Sequence, residues 1–203
     1  DRLRHYTEGD DSMIEVMADI ETLGTGSDAA ILSIAAVKFD VKANRVFSDP
    51  GNTFYRVIDL KSALEAGGTV EADTFYWWME QGHAARTACA RGKNIHINEA
   101  LSSFLDWFPS GATLWSNGSD FDKPIIESAM RRSHITPPWA YYKGRDMRTL
   151  KATILYLDLE ISERDFSGTK HNALDDSINQ AHYVVDAHTT LRTFAWNSRR
   201  VVS

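Results

Sequence analysis

Two carboxylates, Asp19 and Glu21, stand two residues apart inside the run VMADIETLG at 16–24. On an extended chain that spacing aims both side chains from one face of a sheet. Ile14, Val16, Ala18 and Ile20 make the segment apolar enough for a central strand, where paired negative charge has no structural use and is costly to bury. Something positive must sit against them. Hard oxygen donors suit Mg2+ or Mn2+, and the chain offers no Cys/His cluster for zinc. The expectation is a divalent-metal site whose remaining ligands lie elsewhere in the sequence.

Two further acids fall at helix starts. Asp122 follows the apolar run ATLWS (112–116) and a tight NGSDF turn, at or just before a helix. Asp176 lies in the first turn of a C-terminal helix, five residues beyond His171. Negative side chains are tolerated near a helix N-terminus, and the backbone there holds them in place. His83, His96, His134, His182 and His188 have no acid at that spacing in a loop-helix context and read as surface or packing residues. A single cysteine, Cys89, excludes an internal disulfide; it reads as a small half-buried side chain on a helix.

The elements that must position these groups follow from periodicity. After the first strand, 22–28 is turn-rich, 30–39 (AILSIAAVKF) reads as a largely buried strand, and 52–58 (NTFYRVI) alternates like a third. Turn residues between them imply an antiparallel meander. Residues 71–81 change to a helical period, with Asp73 or Thr74 as N-cap and Phe75, Trp78 and Met79 on one stripe. Trp77 and Trp78 cannot point the same way on that helix, so one indole is expected in the core and the other at a groove or a partner. Asn98 is expected to cap a helix whose Leu101, Phe104, Leu105 and Phe108 share a face, stopped at 109–111. Residues 112–116 read as a buried strand, 124–132 as a helix, 145–147 as a short strand, and 148–157 as the helix behind it. A charged loop at 158–170, long enough to suggest function, leads to an amphipathic helix over 172–194. Strands first and then strand-helix alternation define an α/β domain with a mixed sheet, its later strands parallel and covered by helices.

With 203 residues and 43% apolar content, the chain fits one domain, expected over 13–203. Residues 1–12 are polar and aperiodic and read as a cloning remnant or disordered leader. No run reaches membrane-spanning length and no signal peptide is visible, so the expected location is cytoplasmic. A net charge of −6 argues against affinity for nucleic acid through a basic surface, but not against a nuclease whose carboxylates are offset by cations. Local basic clusters remain at Arg131 and Arg132, at Lys143, Arg145, Arg148 and Lys151, and at Arg199 and Arg200.

D-x-E on a first strand, N-G-x-x-F-D after a later one and H-x-A-x-x-D opening a C-terminal helix together resemble the DEDDh class of 3'-5' exonucleases, whose fold is ribonuclease H-like. The glycine of NGSDFD, the Trp pair and the segment GRDMRTL are similar to its phage-type and mycobacterial branch. The resemblance spans 13 to about 194 and implies two ions, Mg2+ or Mn2+, held by Asp19, Glu21, Asp122 and Asp176. It implies that Asp19 bridges both, that Glu21 and Asp176 serve the nucleophile side, and that Asp122 acts on the second ion through water. Phosphodiester hydrolysis needs a hydroxide at neutral pH, and metal binding lowers the pKa of water from about 15.7 to about 7. His171, with an ordinary pKa near 6.5, would take the proton. By the same resemblance Thr22, Leu23 and Gly24 line the terminal-nucleotide pocket, with Asn117, Phe121 and either Phe166 or His171 along its walls. Gly24 would permit a close backbone approach and Leu23 would wedge against the last base.

The substrate implied is the 3' end of a single strand, with DNA narrowly ahead of RNA, and a homodimer is a further implication of the family. Two rivals stand beside this reading: a protein of the same fold that binds nucleic acid or a partner without cutting it, and a metal phosphoesterase acting on nucleotides or cleaving internally.

Overall fold

The structure is a computed structural model that describes residues 14–90, 94–161 and 164–201. The expected leader at 1–12 and the side chains of Arg199 and Arg200 lie outside the described residues.

Strand β1 (Ile14–Thr22) lies at the centre of a six-stranded sheet. It pairs antiparallel with β2 (Ile31–Asp40), placing Asp19 opposite Ala35 and Glu21 opposite Ser33. The far edge of β2 is shared by β3 (Arg45–Phe47) and β4 (Thr53–Val57), both antiparallel. On the other side β5 (Thr113–Ser116) and then β6 (Gly144–Asp146) continue the sheet in parallel. This is the mixed ribonuclease H-like sheet expected, with β3 as an added strand. Its three residues are too few to show a period.

Seven helices flank the sheet among the described residues: α1 (Leu60–Glu65), α2 (Ala72–Glu80), α3 (His83–Ala90), α4 (Ile97–Trp107), α5 (Asp122–Arg132), α6 (Met147–Tyr156) and α7 (Ala173–Val201). The short helices α1 and α3 were not expected; eight residues or fewer give too little periodicity to be read. The alternation of β1 divides the core. Val16, Ala18 and Ile20 join the larger cluster with Leu101, Phe104, Ile125 and Ile126. Met17 joins a second cluster with Val37, Phe39, Trp115, Ala181, Val184 and Val185 under α7.

Three local expectations are corrected. The N-cap of α2 is Glu71 rather than Asp73 or Thr74, and it makes no side-chain cap bond. Its carboxylate instead accepts from Thr25 Oγ1 at 2.9 Å and Gly26 N–H at 3.0 Å, clamping the turn after β1. Only Trp78 of the α2 stripe is buried, where its Nε1 meets the Thr22 carbonyl at the end of β1; Phe75 and Met79 are exposed. The N-cap of α4 is His96, whose Nδ1 accepts from the N–H of Asn98, so the imidazole does what the Asn was expected to do.

Candidate active site

The odd-numbered face of β1 carries Asp19 and Glu21 towards α7, on the side where Met17 packs. The chain leaves β5 through a turn held by Ser116 Oγ donating to the Gly118 carbonyl at 2.9 Å, and enters α5 at Asp122. Asp122 is 2% exposed, and its Oδ1 accepts the N–H of Ile20 at 3.1 Å, which bonds α5 to β1 between the two acids of that strand. The start of α7 is fixed by Asn172, whose Oδ1 accepts from Leu174 and Asp175 N–H at 3.0 and 3.3 Å. That places Asp176 over the same end of the sheet, with its Oδ2 accepting from His171 N–H at 2.8 Å. Four acids separated by up to 157 residues thus converge, and the electrostatics register it.

Burial pushes Asp19 well above the usual carboxylate range, reinforced by the charges of Asp122 and Glu21. Burial, then Asp176 and Asp122, push Glu21 up to about 8. Burial pushes Asp122 up to about 7, against backbone N–H donors that favour its charged form. Asp176 is raised by burial too, with the N–H of His171 opposing. Among the described residues no lysine or arginine forms a salt bridge to any of the four. A cluster that cannot all ionise by itself is what a bound cation reverses. Glu21, His171 and Asp176 each offer a ligand atom, all within 4.8 Å of one another. All-oxygen and imidazole donors in a partly buried pocket fit Mg2+ or Mn2+.

His171 closes the loop before α7 in a left-handed conformation, φ 62°, which a histidine adopts more readily than most side chains. Its ring meets Trp77 edge-on at 5.0 Å between centroids, and its carbonyl accepts from Cys89 Sγ at 3.8 Å. Trp77 in turn stands edge-on to Trp78, whose Nε1 donates to the Thr22 carbonyl at 2.8 Å. The two indoles divide as expected: Trp78 is in the core, and Trp77, 40% exposed, faces a groove. Cys89 is fully buried rather than half-buried, and burial with the Glu21 charge pushes its thiol up to about 12, the opposite of a reactive thiolate.

That groove is a cavity of about 460 Å³ beside the acids. Glu21, Thr22, Gly24 and Thr25 form one wall, Asp73, Thr74, Trp77 and Trp78 the wall of α2, and Phe121 closes it. Of the residues expected around a terminal nucleotide, Thr22, Gly24 and Phe121 line this cavity. Leu23 does not: at 7% exposure it packs into the larger core, because its N–H pairs with Ala30 and turns its side chain inward. Asn117 contributes its backbone N–H to Asp122 rather than a wall, and Phe166 is exposed on the loop away from the cavity lining. Gly24 does permit a close approach, but to Glu71, whose Oε1 lies 3.1 Å from where a Cβ would be.

Three participants escaped sequence reasoning. Gln180 donates from Nε2 to Asp19 Oδ1 at 2.8 Å. Its position four residues beyond Asp176, on the same helix face, was the available signal. Arg148 lies over Gly118, with its Cζ 3.4 Å from a notional Cβ there, and its charge lowers Asp122. Of the other basic residues, Arg132 is structural, bonded to the Ala66 carbonyl and Ser128. Glu71, which clamps the turn after Glu21 through Thr25 and Gly26, is the third.

The sheet order and helix placement define a ribonuclease H-like fold. The structure is similar to the nuclease domain of 3'hExo, described as a DEDDh family member bound to rAMP, with a TM-score of 0.56 at 13% identity over 88% of this chain and 92% of that one. A full-length 3'-exonuclease is similar at a TM-score of 0.55 and 13% identity, over 86% and 80% of the two chains. An exodeoxyribonuclease of Enterobacteria phage T4 is 25% identical over 171 residues, covering 72% of this chain and 75% of the relative. The model of the 3'-5' exoribonuclease Rv2179c-like domain matches residues 14–187, and the chain belongs to that family of 3'-5' exonucleases. No described helix is long and apolar enough to cross a membrane.

Proposed function

We propose that this enzyme removes nucleoside monophosphates from the 3' end of single-stranded nucleic acid, using two divalent ions held by Asp19, Glu21, Asp122 and Asp176. The observation that carries this is four carboxylates, raised by burial and without a salt-bridge partner among the described residues, beside a cavity of about 460 Å³. Bound ions would supply a hydroxide at neutral pH and stabilise the departing oxygen. Asp19 would serve both ions, Glu21 and Asp176, whose ligand atoms lie within 4.8 Å of one another and of His171, would serve the one on the nucleophile side, and Asp122 would act on the other. His171, tethered by its N–H to Asp176, takes the proton of the attacking water. The terminal base enters against Trp77 and Phe121, where stacking tolerates any sequence. Arg148, exposed beside Asp122, meets a backbone phosphate.

The description of the matched family names RNA and that of the phage relative names DNA. RNA is the first substrate on the weight of the family match, with Glu21 and Thr22 on the cavity wall as acceptors for a 2'-hydroxyl. The test is a 5'-labelled single strand, in matched RNA and DNA forms, with Mg2+, with Mn2+ and with chelator, beside Asp19→Ala. The expected result is a ladder shortening from the 3' end, faster on RNA, absent with chelator and in the variant. Internal fragments would point to an internally cleaving enzyme, and binding without any shortening to a non-catalytic one.

A further inference from the structure

The side chain of Gln180 reaches back from α7 to Asp19 across 161 positions of sequence, and the contact has two unequal halves. Nε2 donates to Asp19 Oδ1 at 2.8 Å, whereas Oε1 is buried and receives no hydrogen bond from any described residue. A buried acceptor without a donor is a cost that an apolar side chain of similar volume would avoid. The neighbours on α7 are that kind of residue: Ala181, Val184 and Val185 pack beneath the helix and are fully buried. An amide retained here serves Asp19, not packing.

Asp19 needs such a partner. Its carboxylate stands among Asp122, Glu21 and Asp176, all of which repel it, and the terminal torsion of an aspartate is broad and only loosely fixed by rotamer preference. One N–H donated to Oδ1 stops that rotation and leaves the lone pairs of the other oxygen directed elsewhere. The amide orientation follows from the same contact, because turning Oε1 towards Oδ1 would set two acceptors against each other. Asp19 has no other side-chain hydrogen bond among the described residues.

We propose that Gln180 is a positioning residue of the metal centre, holding the Asp19 carboxylate in the orientation that receives divalent ions. This rests on the metal reading given above. Groups that orient a ligand in this way typically change metal affinity by about 10- to 100-fold when removed.

The test is calorimetric titration of the purified chain with Mn2+ in the absence of nucleic acid, for wild type, Gln180→Met and Gln180→Ala, with thermal melts with and without the ion. Met keeps the volume and removes the donor; Ala is the best helix former and guards against a folding failure of the first variant. The expected result is Mn2+ affinity weaker by about 10- to 100-fold in both variants, with metal-free melting temperatures near or above wild type and a smaller upward shift on adding Mn2+. Affinity equal to wild type in both variants overturns the role of Gln180 and leaves the metal reading standing. A wild type that takes up no Mn2+ overturns the metal reading, and this role with it.

Discussion

Glu15 and the pair Asp19 and Glu21 project from the same face of β1, yet they are buried in different company. Glu15 accepts a hydrogen bond from Trp115 Nε1 and has His188 and Arg145 close enough to favour its charge, so burial raises it against opposition from three neighbours. At the other end of the strand the surroundings are mostly more carboxylates, and Glu21 is raised to about 8 with nothing among its causes that lowers it. One end of the strand carries its own counter-groups, and at the other Glu21 faces the carboxylates of Asp176 and Asp122. A buried acid is therefore not by itself a mark of function; a buried acid whose neighbours repeat its charge is.

The comparison breaks most visibly at Asp19. Asp19→Asn is expected to lower kcat by about three orders of magnitude or more, the several kcal/mol that a bound ion contributes, while raising the metal-free melting temperature. A variant that is less active but also less stable without metal would show a structural role instead. Next in size, His171→Asn should lower kcat by about 100- to 10,000-fold with Mn2+ affinity unchanged. Asn accepts the left-handed backbone and keeps the N–H that bonds Asp176. Equal losses of affinity and rate would make His171 a ligand rather than the base.

A smaller effect is expected at the cavity. Trp77→Ala should raise KM about 10-fold or more from lost base stacking, with Trp77→Phe close to wild type. Unchanged KM in Trp77→Ala would move the terminal base elsewhere.

The acid cluster also sets a pH dependence. Folding raises Glu21 from 4.5 to about 8 and Asp122 from 3.8 to about 7, so between those limits the native state binds more protons than the unfolded chain. Metal-free stability is then greatest below the ordinary carboxylate values and falls as pH rises towards about 8. Melting temperatures in chelator across that range should fall, and Mg2+ should flatten the slope; a rise with pH would contradict the raised values. The smallest effect belongs to the other end of β1: Glu15→Gln still accepts from Trp115 and should leave exonuclease activity within about twofold of wild type, since Glu15 belongs neither to the cavity lining nor to the acid cluster.

How much of this was legible beforehand depended on distance along the chain. The D-x-E spacing on an alternating apolar strand gave its face and its need for a cation, because strand geometry is fixed by residues two apart. The helix carrying Leu101 and Phe104 was equally plain, since 3.6-residue periodicity is local. Leu23 shows the limit: the family resemblance put it on the pocket wall, but it is buried in the larger core, its N–H bonded to the Ala30 carbonyl. Glu71 likewise took its role from the turn at Thr25 and Gly26 across from it, whereas His96 caps its helix through a contact only two residues along the chain.

The sequence by itself determined the chemistry available here: four acids, one imidazole and the elements that start or end beside them. Only the tertiary structure decided which groups those acids meet. The contacts of Gln180 with Asp19, Trp77 with His171 and Cys89 with the His171 carbonyl join segments up to 161 residues apart. No local period encodes such a contact, and the desolvation that raises the acids exists only once β1, α5 and α7 have closed over the same end of the sheet.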